Sequence, residues 1–206
     1  MAICYIVGAA PQCESFSPMA EDFIIAADGG QAALARMGLT PHLVVGDFDS
    51  SDAPASSIRY PKEKDDTDTA LALLLGEERG FHTFALYGCT GGRPDHSFGV
   101  VQTMLAAAKR ENRVYLVGEG MIGTVICNES FTFCADGYVS VFALSEKAGG
   151  VSLKGLKYPL TDAVLTNDYP LGVSNEGHGD ATVSVTSGAL YLLWEGSVLP
   201  KDARAE

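Results

Sequence analysis

Leu43-Val44-Val45-Gly46-Asp47-Phe48-Asp49-Ser50 is a short apolar run that ends in two carboxylates spaced i, i+2. The run predicts a buried strand, and in an extended segment positions i and i+2 project from the same face. Asp47 and Asp49 can therefore reach one point, where two anions repel unless a cation or a proton lies between them. Gly, Asp and Ser are also turn residues, so a polar turn that merely ends the strand accounts for the same letters. The rest of the chain separates these two readings.

Upstream, Ile3 to Val7 and Phe23 to Ala27 read as buried strands, ended by Gly8-Ala9-Ala10-Pro11 and Asp28-Gly29-Gly30. A short helix is expected over residues 17–22 and another over 31–37, with Gly38 as its stop. Downstream, Ile58-Arg59-Tyr60-Pro61 suits a short edge strand. Lys64-Asp65-Asp66-Thr67-Asp68-Thr69 opens a helix over residues 70–79, whose Leu71, Leu74 and Leu75 fall at i, i+3, i+4. Thr83 to Tyr87 is a further strand, followed by Gly88-Cys89-Thr90-Gly91-Gly92-Arg93-Pro94-Asp95-His96, a helix over 96–110 and a strand over 114–117. Strand, loop and helix in alternation predict a mostly parallel sheet with helices on both faces. After Gly118 come short β-rich runs separated by Asn128, Asp136-Gly137, Gly149-Gly150 and Ser187-Gly188, with no helical period. The expected fold class is thus α/β: an N-terminal mostly parallel sheet over residues 1–120, plus a C-terminal antiparallel β-sandwich over 121–206 with a loose tail from Lys201.

In an open α/β sheet, ligands bind outside the carboxyl ends of the strands. The loops carrying Asp28, Asp47 and Asp49, Asp65 to Asp68, and Gly91 to Asp95 all begin there on this topology. For any single residue of Asp65 to Asp68, capping the helix is the commoner role. One cap needs one side chain, however, and the stretch supplies three acids and Thr67, so Asp68 is read as the one that joins Asp47 and Asp49. Three carboxylates suit Mg²⁺, and no His or Cys cluster offers a zinc site. Gly91-Gly92 permits close backbone approach, Pro94 suits a first helical turn, and Arg93 beside a helix start makes an anion site. The plainer reading there is a glycine-rich connection with Asp95 as a cap, and His96 is read as a surface residue of the cap region.

The net charge of −12, from 26 acids and 14 bases over 206 residues, disfavours nucleic acid and anionic membranes as partners. Five cysteines without C-x-x-C spacing predict reduced thiols in a cytoplasmic protein. The N-terminal stretch lacks the basic region of a signal peptide, and no apolar run reaches the length of a membrane span. There is no G-x-x-x-x-G-K-[ST], no dinucleotide fingerprint and no G-x-S-x-G elbow. The residues by themselves lead to a magnesium-dependent enzyme acting on a phosphorylated ligand, a nucleotide foremost.

These motifs, with Gly155-Leu156-Lys157-Tyr158-Pro159-Leu160 and Val173-Ser174-Asn175-Glu176 in the β-rich half, resemble those of the bacterial thiamine pyrophosphokinases, nearly end to end. The resemblance implies transfer of a diphosphoryl group from ATP to the hydroxyl of thiamine, leaving AMP. It implies a nucleotide- and metal-binding domain over 1–120 and a β-sandwich over 121–206 that contributes to the substrate pocket and to a homodimer sharing that pocket. By resemblance Asp47, Asp49 and Asp68 hold Mg²⁺ and join Asp95 as catalytic residues. Asp28, Gly29, Gly30, Thr67, Gly91, Gly92 and Arg93 bind ATP, and Ser174, Asn175 and Trp194 meet thiamine. An indole face suits a flat cation, while a core tryptophan on a sandwich strand explains Trp194 equally well. Val100 stands where many relatives carry Asn. Two other readings are a pyrophosphokinase with a different acceptor, such as a pterin alcohol, and a non-catalytic thiamine or nucleotide binder.

Overall fold

Strands β1 (Cys4–Val7), β2 (Phe23–Ala27), β3 (Leu43–Gly46), β4 (Ser57–Arg59) and β5 (Thr83–Tyr87) pair in the order β5-β1-β2-β3-β4, every pair parallel. The computed structural model describes residues 1–46, 57–59 and 66–204. The chain forms a mixed α/β fold built on a large sheet with few helices, and it divides into two compact units. Unit 1 is Met1–Thr103, Leu116–Glu119 and Asp202–Glu206; unit 2 is Met104–Tyr115 and Gly120–Lys201.

In unit 1 every residue of β1, β3 and β5 is buried, the pattern of parallel strands covered on both faces. Ile6, Ile25, Leu34, Leu73, Phe84 and Leu86 form its centre. Helix α1 (Gly30–Arg36) packs on β1 and β2, and α2 (Asp68–Glu77) packs on β1, β2 and β3. Gly30 is required by close approach, because a Cβ there would overlap the carbonyl oxygen of Val7. The strand register aligns Val7 with Ala26 and Tyr87, Ala27 with Val45, and Gly46 with Arg59, so the carboxyl ends stop at one edge. Helix α3 (Pro94–Ala108) and strand β6 (Arg113–Gly118) are divided between the two units.

Unit 2 contains β7 (Met121–Cys127), β8 (Ser130–Ala143), β9 (Lys147–Leu156), β10 (Leu160–Thr166), β11 (Gly172–Ser184) and β12 (Ala189–Glu195), in the order β10-β9-β11-β8-β12-β7 with every pair antiparallel. Asp136-Gly137 and Gly149-Gly150, expected as turns, lie inside β8 and β9. Gly137 (φ +121°) pairs with Gly177, so two residues without side chains let β8 bend without leaving the ladder. The bend is sharp. Trp194 pairs with Val139, and six residues of straight strand would carry Phe133 about 20 Å away, yet the Phe133 and Trp194 ring centroids are 4.8 Å apart. Phe131, Phe133, Ala135, Val139, Val141 and Ala143 bury alternate positions of β8 through the bend. Strand β10 escapes the period-2 signal because most of its residues are wholly or partly exposed.

Two further expectations are corrected. Residues 17–22 form no helix: the Asp22 carboxylate accepts from Met19 N at 2.7 Å and Ile3 N at 2.8 Å, competing with helical bonding and closing a turn. The tail from Lys201 is not loose as far as Arg204: Lys201–Arg204 make a 3-10 turn, and Arg204 grips Asp22 through Nη1 at 2.9 Å and Nη2 at 2.6 Å.

Burial alone would raise the Asp22 carboxyl, but Arg204 and the two backbone N–H groups outweigh it and hold it below the usual carboxylate range. A carboxyl whose pKa is lower in the folded state stabilises the fold fully above its unfolded value of about 4 and loses that contribution as pH falls through the folded value. Asp22→Asn is therefore expected to cost about 3 kcal/mol at neutral pH and to flatten the acid limb of stability measured by urea unfolding. Equal acid limbs in the two proteins would contradict the assignment.

Candidate active site

The loops that follow the aligned strand ends of unit 1 enclose a cavity of about 560 Å³. Its walls are residues 8–11 after β1, Ala27 and Asp28 after β2, residues 66–69 at the start of α2, Gly88 and Cys89 after β5, and Gly92, Arg93 and His96 at the start of α3. The edge predicted from alternation is thus the edge that holds the cavity.

Each wall has a local cause. Asp28 is exposed and takes a left-handed backbone (φ +51°), a conformation that Asp tolerates better than most residues, with its N–H on Val45 O at 2.7 Å. Gly46, the residue before Asp47, abuts it: a Cβ on Gly46 would lie 3.5 Å from Asp28 Cα. Thr67 is the N-cap of α2, its hydroxyl oxygen accepting from Ala70 N at 3.1 Å, which leaves the hydroxyl proton to donate elsewhere. Asp68 then occupies the first turn, where the helix dipole favours a negative charge, and is half-buried in the cavity wall.

Arg93 and Asp95 form an exposed fork, Nη2 to Oδ2 at 2.5 Å and Nε to Oδ1 at 3.2 Å. The hydrogen bond from Arg93 holds the Asp95 carboxyl below the usual range, and the same contact raises the guanidinium. Asp95 is not in the cavity wall, so its observed contact is with Arg93. Gly91 (φ +87°) stands beside Glu119, away from the wall, and Gly30 is buried beneath Val7. Exposed Gly29 precedes α1. Asp47 and Asp49 lie outside the described residues. Among the described residues no three His, Cys, Asp or Glu side chains are grouped to hold a metal ion. Asp66, Thr69 and Cys89 line the cavity with no role expected of them individually, although all three fall inside the stretches quoted from the sequence, and His96, expected at the surface of the cap region, is exposed and lines it too. Burial pushes the Cys89 thiol up to about 12, so it stays protonated at neutral pH and supplies no nucleophile.

In unit 2 the three expected thiamine residues have separate fates. Trp194 is 3% exposed and its indole packs on Phe131 and Phe133, so the core reading describes it. Asn175 is also buried: its Oδ1 accepts from Tyr158 N at 2.9 Å and its Nδ2 donates to Tyr158 O at 2.8 Å. Ser174 is exposed in a left-handed conformation (φ +57°), with its N–H on Ser140 Oγ at 3.1 Å. The aromatic that these contacts present is Tyr158, 58% exposed on a backbone clamped by Asn175. Tyr158 stands inside the Gly155 to Leu160 motif quoted from the sequence.

The Arg93–Asp95 pair is 71% and 61% exposed, and exposed pairs contribute little to stability. Arg93→Ala should therefore leave the midpoint of urea unfolding unchanged. Calorimetry should show tripolyphosphate binding weakened about tenfold; unchanged binding would remove Arg93 from the anion site.

Comparison with known proteins agrees with this geometry. Residues 19–116 match the family description "Thiamin pyrophosphokinase, catalytic domain", and residues 126–190 match "Thiamin pyrophosphokinase, vitamin B1 binding domain". The chain is 31% identical over 183 residues to the thiamine pyrophosphokinase of Bacillus subtilis (strain 168), covering 82% of this chain and 85% of that protein. The crystal structure of thiamine pyrophosphokinase from Bacillus subtilis superposes with a TM-score of 0.85 at 27% identity, covering 96% of this chain and 100% of that one. That of thiamin pyrophosphokinase from Geobacillus thermodenitrificans gives 0.82 at 31% identity, covering 94% and 97%. The two family matches, which together span most of the chain, and the 31% identity to the Bacillus subtilis protein show that this chain belongs to the thiamine pyrophosphokinase family.

Proposed function

We infer that the protein transfers the diphosphoryl group of ATP to the hydroxyl of thiamine, giving thiamine diphosphate and AMP. The observation that carries this reading is the convergence of Asp28, Asp66, Asp68 and Arg93 on one cavity, inside the segment that matches the family's catalytic domain.

The donor set of the cavity fits a hard divalent cation, because its acids offer carboxylate oxygens. Asp68, with Asp47 and Asp49, would hold Mg²⁺, and Asp28 lines the same cavity as Asp68. When bound, the ion would supply charge stabilisation to the polyphosphate oxygens. The chain's own contribution is positional. Thr67 fixes the start of α2 and hence Asp68; Asp95 orients the Arg93 fork; Arg93 and Gly92 meet the phosphates; Gly29, Gly30 and Gly91 shape the backbone around them. Phosphoryl-type transfer depends mainly on alignment and charge stabilisation, so no strong general base is required.

On this reading residues 1–120 serve nucleotide and metal, and residues 121–206 fold into a two-layer sandwich that serves thiamine. The sharp bend of β8 around Trp194 supports the two layers. Tyr158 and Ser174 would meet thiamine, with Asn175 holding Tyr158 in place, since a flat cation suits an exposed aromatic face. Exposed Tyr138, Tyr169, Leu171 and Val173 gather near the irregular pairing at Gly172 to Asn175, which supports a homodimer built on this surface. Five free thiols support a cytoplasmic setting, and among the described residues no helix is long and apolar enough to cross a membrane.

The test is a product analysis with ATP, Mg²⁺ and either thiamine or a pterin alcohol. AMP with thiamine diphosphate, from thiamine alone, is expected, and Tyr158→Ala should raise KM for thiamine about tenfold with KM for ATP unchanged. ADP with thiamine monophosphate, turnover of the pterin alone, or binding without AMP release would overturn the reading.

A further inference from the structure

Between β1 and β2 the chain runs through residues 8–22 without a helix or a strand. Connections of that length are uncommon in compact folds and usually carry function. This strap begins as cavity wall, at Gly8, Ala9, Ala10 and Pro11. It ends at Asp22, whose side chain is fully buried and is held by Arg204. Midway, the Phe16 ring stacks on Tyr5 at 4.5 Å with planes 6° apart and meets Tyr87 at 4.6 Å. Tyr5 and Tyr87 stand on neighbouring strands shortly before Gly8 and Gly88, both of which line the cavity. Arg204 Nη2 also donates to the Tyr5 hydroxyl at 3.1 Å, and Arg204 O accepts from the Met1 ammonium at 2.6 Å. One side chain thus fixes both the end of the strap and the ring on which its middle rests.

The energetics favour a positional role over a merely stabilising one. A buried guanidinium–carboxylate pair often contributes no more net stability than well-packed apolar side chains of the same volume. What it adds is direction, through a planar two-point fork that Lys cannot reproduce.

We propose that Arg204 is a positioning residue for the nucleotide side of the cavity: by fixing Asp22 and Tyr5 it sets the course of residues 8–22, and with it the Ala9 to Pro11 wall. This rests on the nucleotide reading of the cavity given above.

The test uses the full chain with Arg204→Ala, Arg204→Lys and Phe16→Leu, assayed well below each melting temperature. Arg204→Ala should raise KM for ATP about tenfold or more, with kcat and KM for the acceptor changing much less. Added guanidinium ion should restore KM in Arg204→Ala, whereas Arg204→Lys should recover it only in part. Phe16→Leu, which leaves the ion pair intact, should shift KM for ATP the same way, and it decides the matter alone if Arg204→Ala does not fold. Variants that melt earlier but keep KM for ATP within about twofold of wild type would overturn the proposal and leave the activity standing. Wild-type protein that neither binds nor turns over ATP would overturn both.

Discussion

Parallel strands that stop in register deliver the loops that follow them to one edge, and in this chain the segments after β2 and before α2 bring acids to it. Asp28, Asp66 and Asp68 meet there around a shared cavity, within a protein already twelve charges negative. Packing does not require this, since the cores of both units are apolar and complete without these side chains. Local devices ease the crowding: the dipole of α2 favours Asp68, and Asp95 is neutralised by Arg93 outside the wall. The remaining acids face a space large enough for a ligand, which is where a cation and a polyphosphate would balance them.

The parts of this arrangement legible in the sequence are those written in local, repeating signals. Buried strands bounded by glycine, the acidic start of α2 and the Gly91 to Asp95 connection each carry a short-range signature, and together they specify the edge; the Leu71, Leu74, Leu75 spacing marks α2 as a helix but misplaces its face, since Leu74 is exposed and Ala72, Leu73, Leu75 and Gly76 are the buried residues. Side-chain competition and long-range contacts were not legible. Nothing near Asp22 announces that its carboxylate will take two backbone N–H groups and a guanidinium from residue 204, so a helix was expected where a turn forms. Likewise Asp136-Gly137 is a turn signal in most settings; here the facing Gly177 turns it into a bend within a continuous strand.

In the β-rich unit two of the quoted motifs are tied to each other. Val173 to Glu176 and Gly155 to Leu160 are tied together by the Asn175 amide on both backbone groups of Tyr158, by Lys157 N on Glu176 O at 2.8 Å, and by the Lys157–Glu176 ion pair at 2.9 Å. The polar residue of the first motif is spent on holding the aromatic of the second. Trp194 is buried against Phe131 and Phe133 of β8.

The central claim is that carboxylates from separate loops hold one divalent ion beneath a nucleotide. Titration with Mn²⁺, followed by electron paramagnetic resonance in the presence of a non-hydrolysable ATP analogue, tests it most directly. One nucleotide-dependent site per chain is predicted in the wild type, weakened at least about tenfold in each of Asp47→Asn, Asp49→Asn and Asp68→Asn. Wild-type affinity in all three variants would contradict the account.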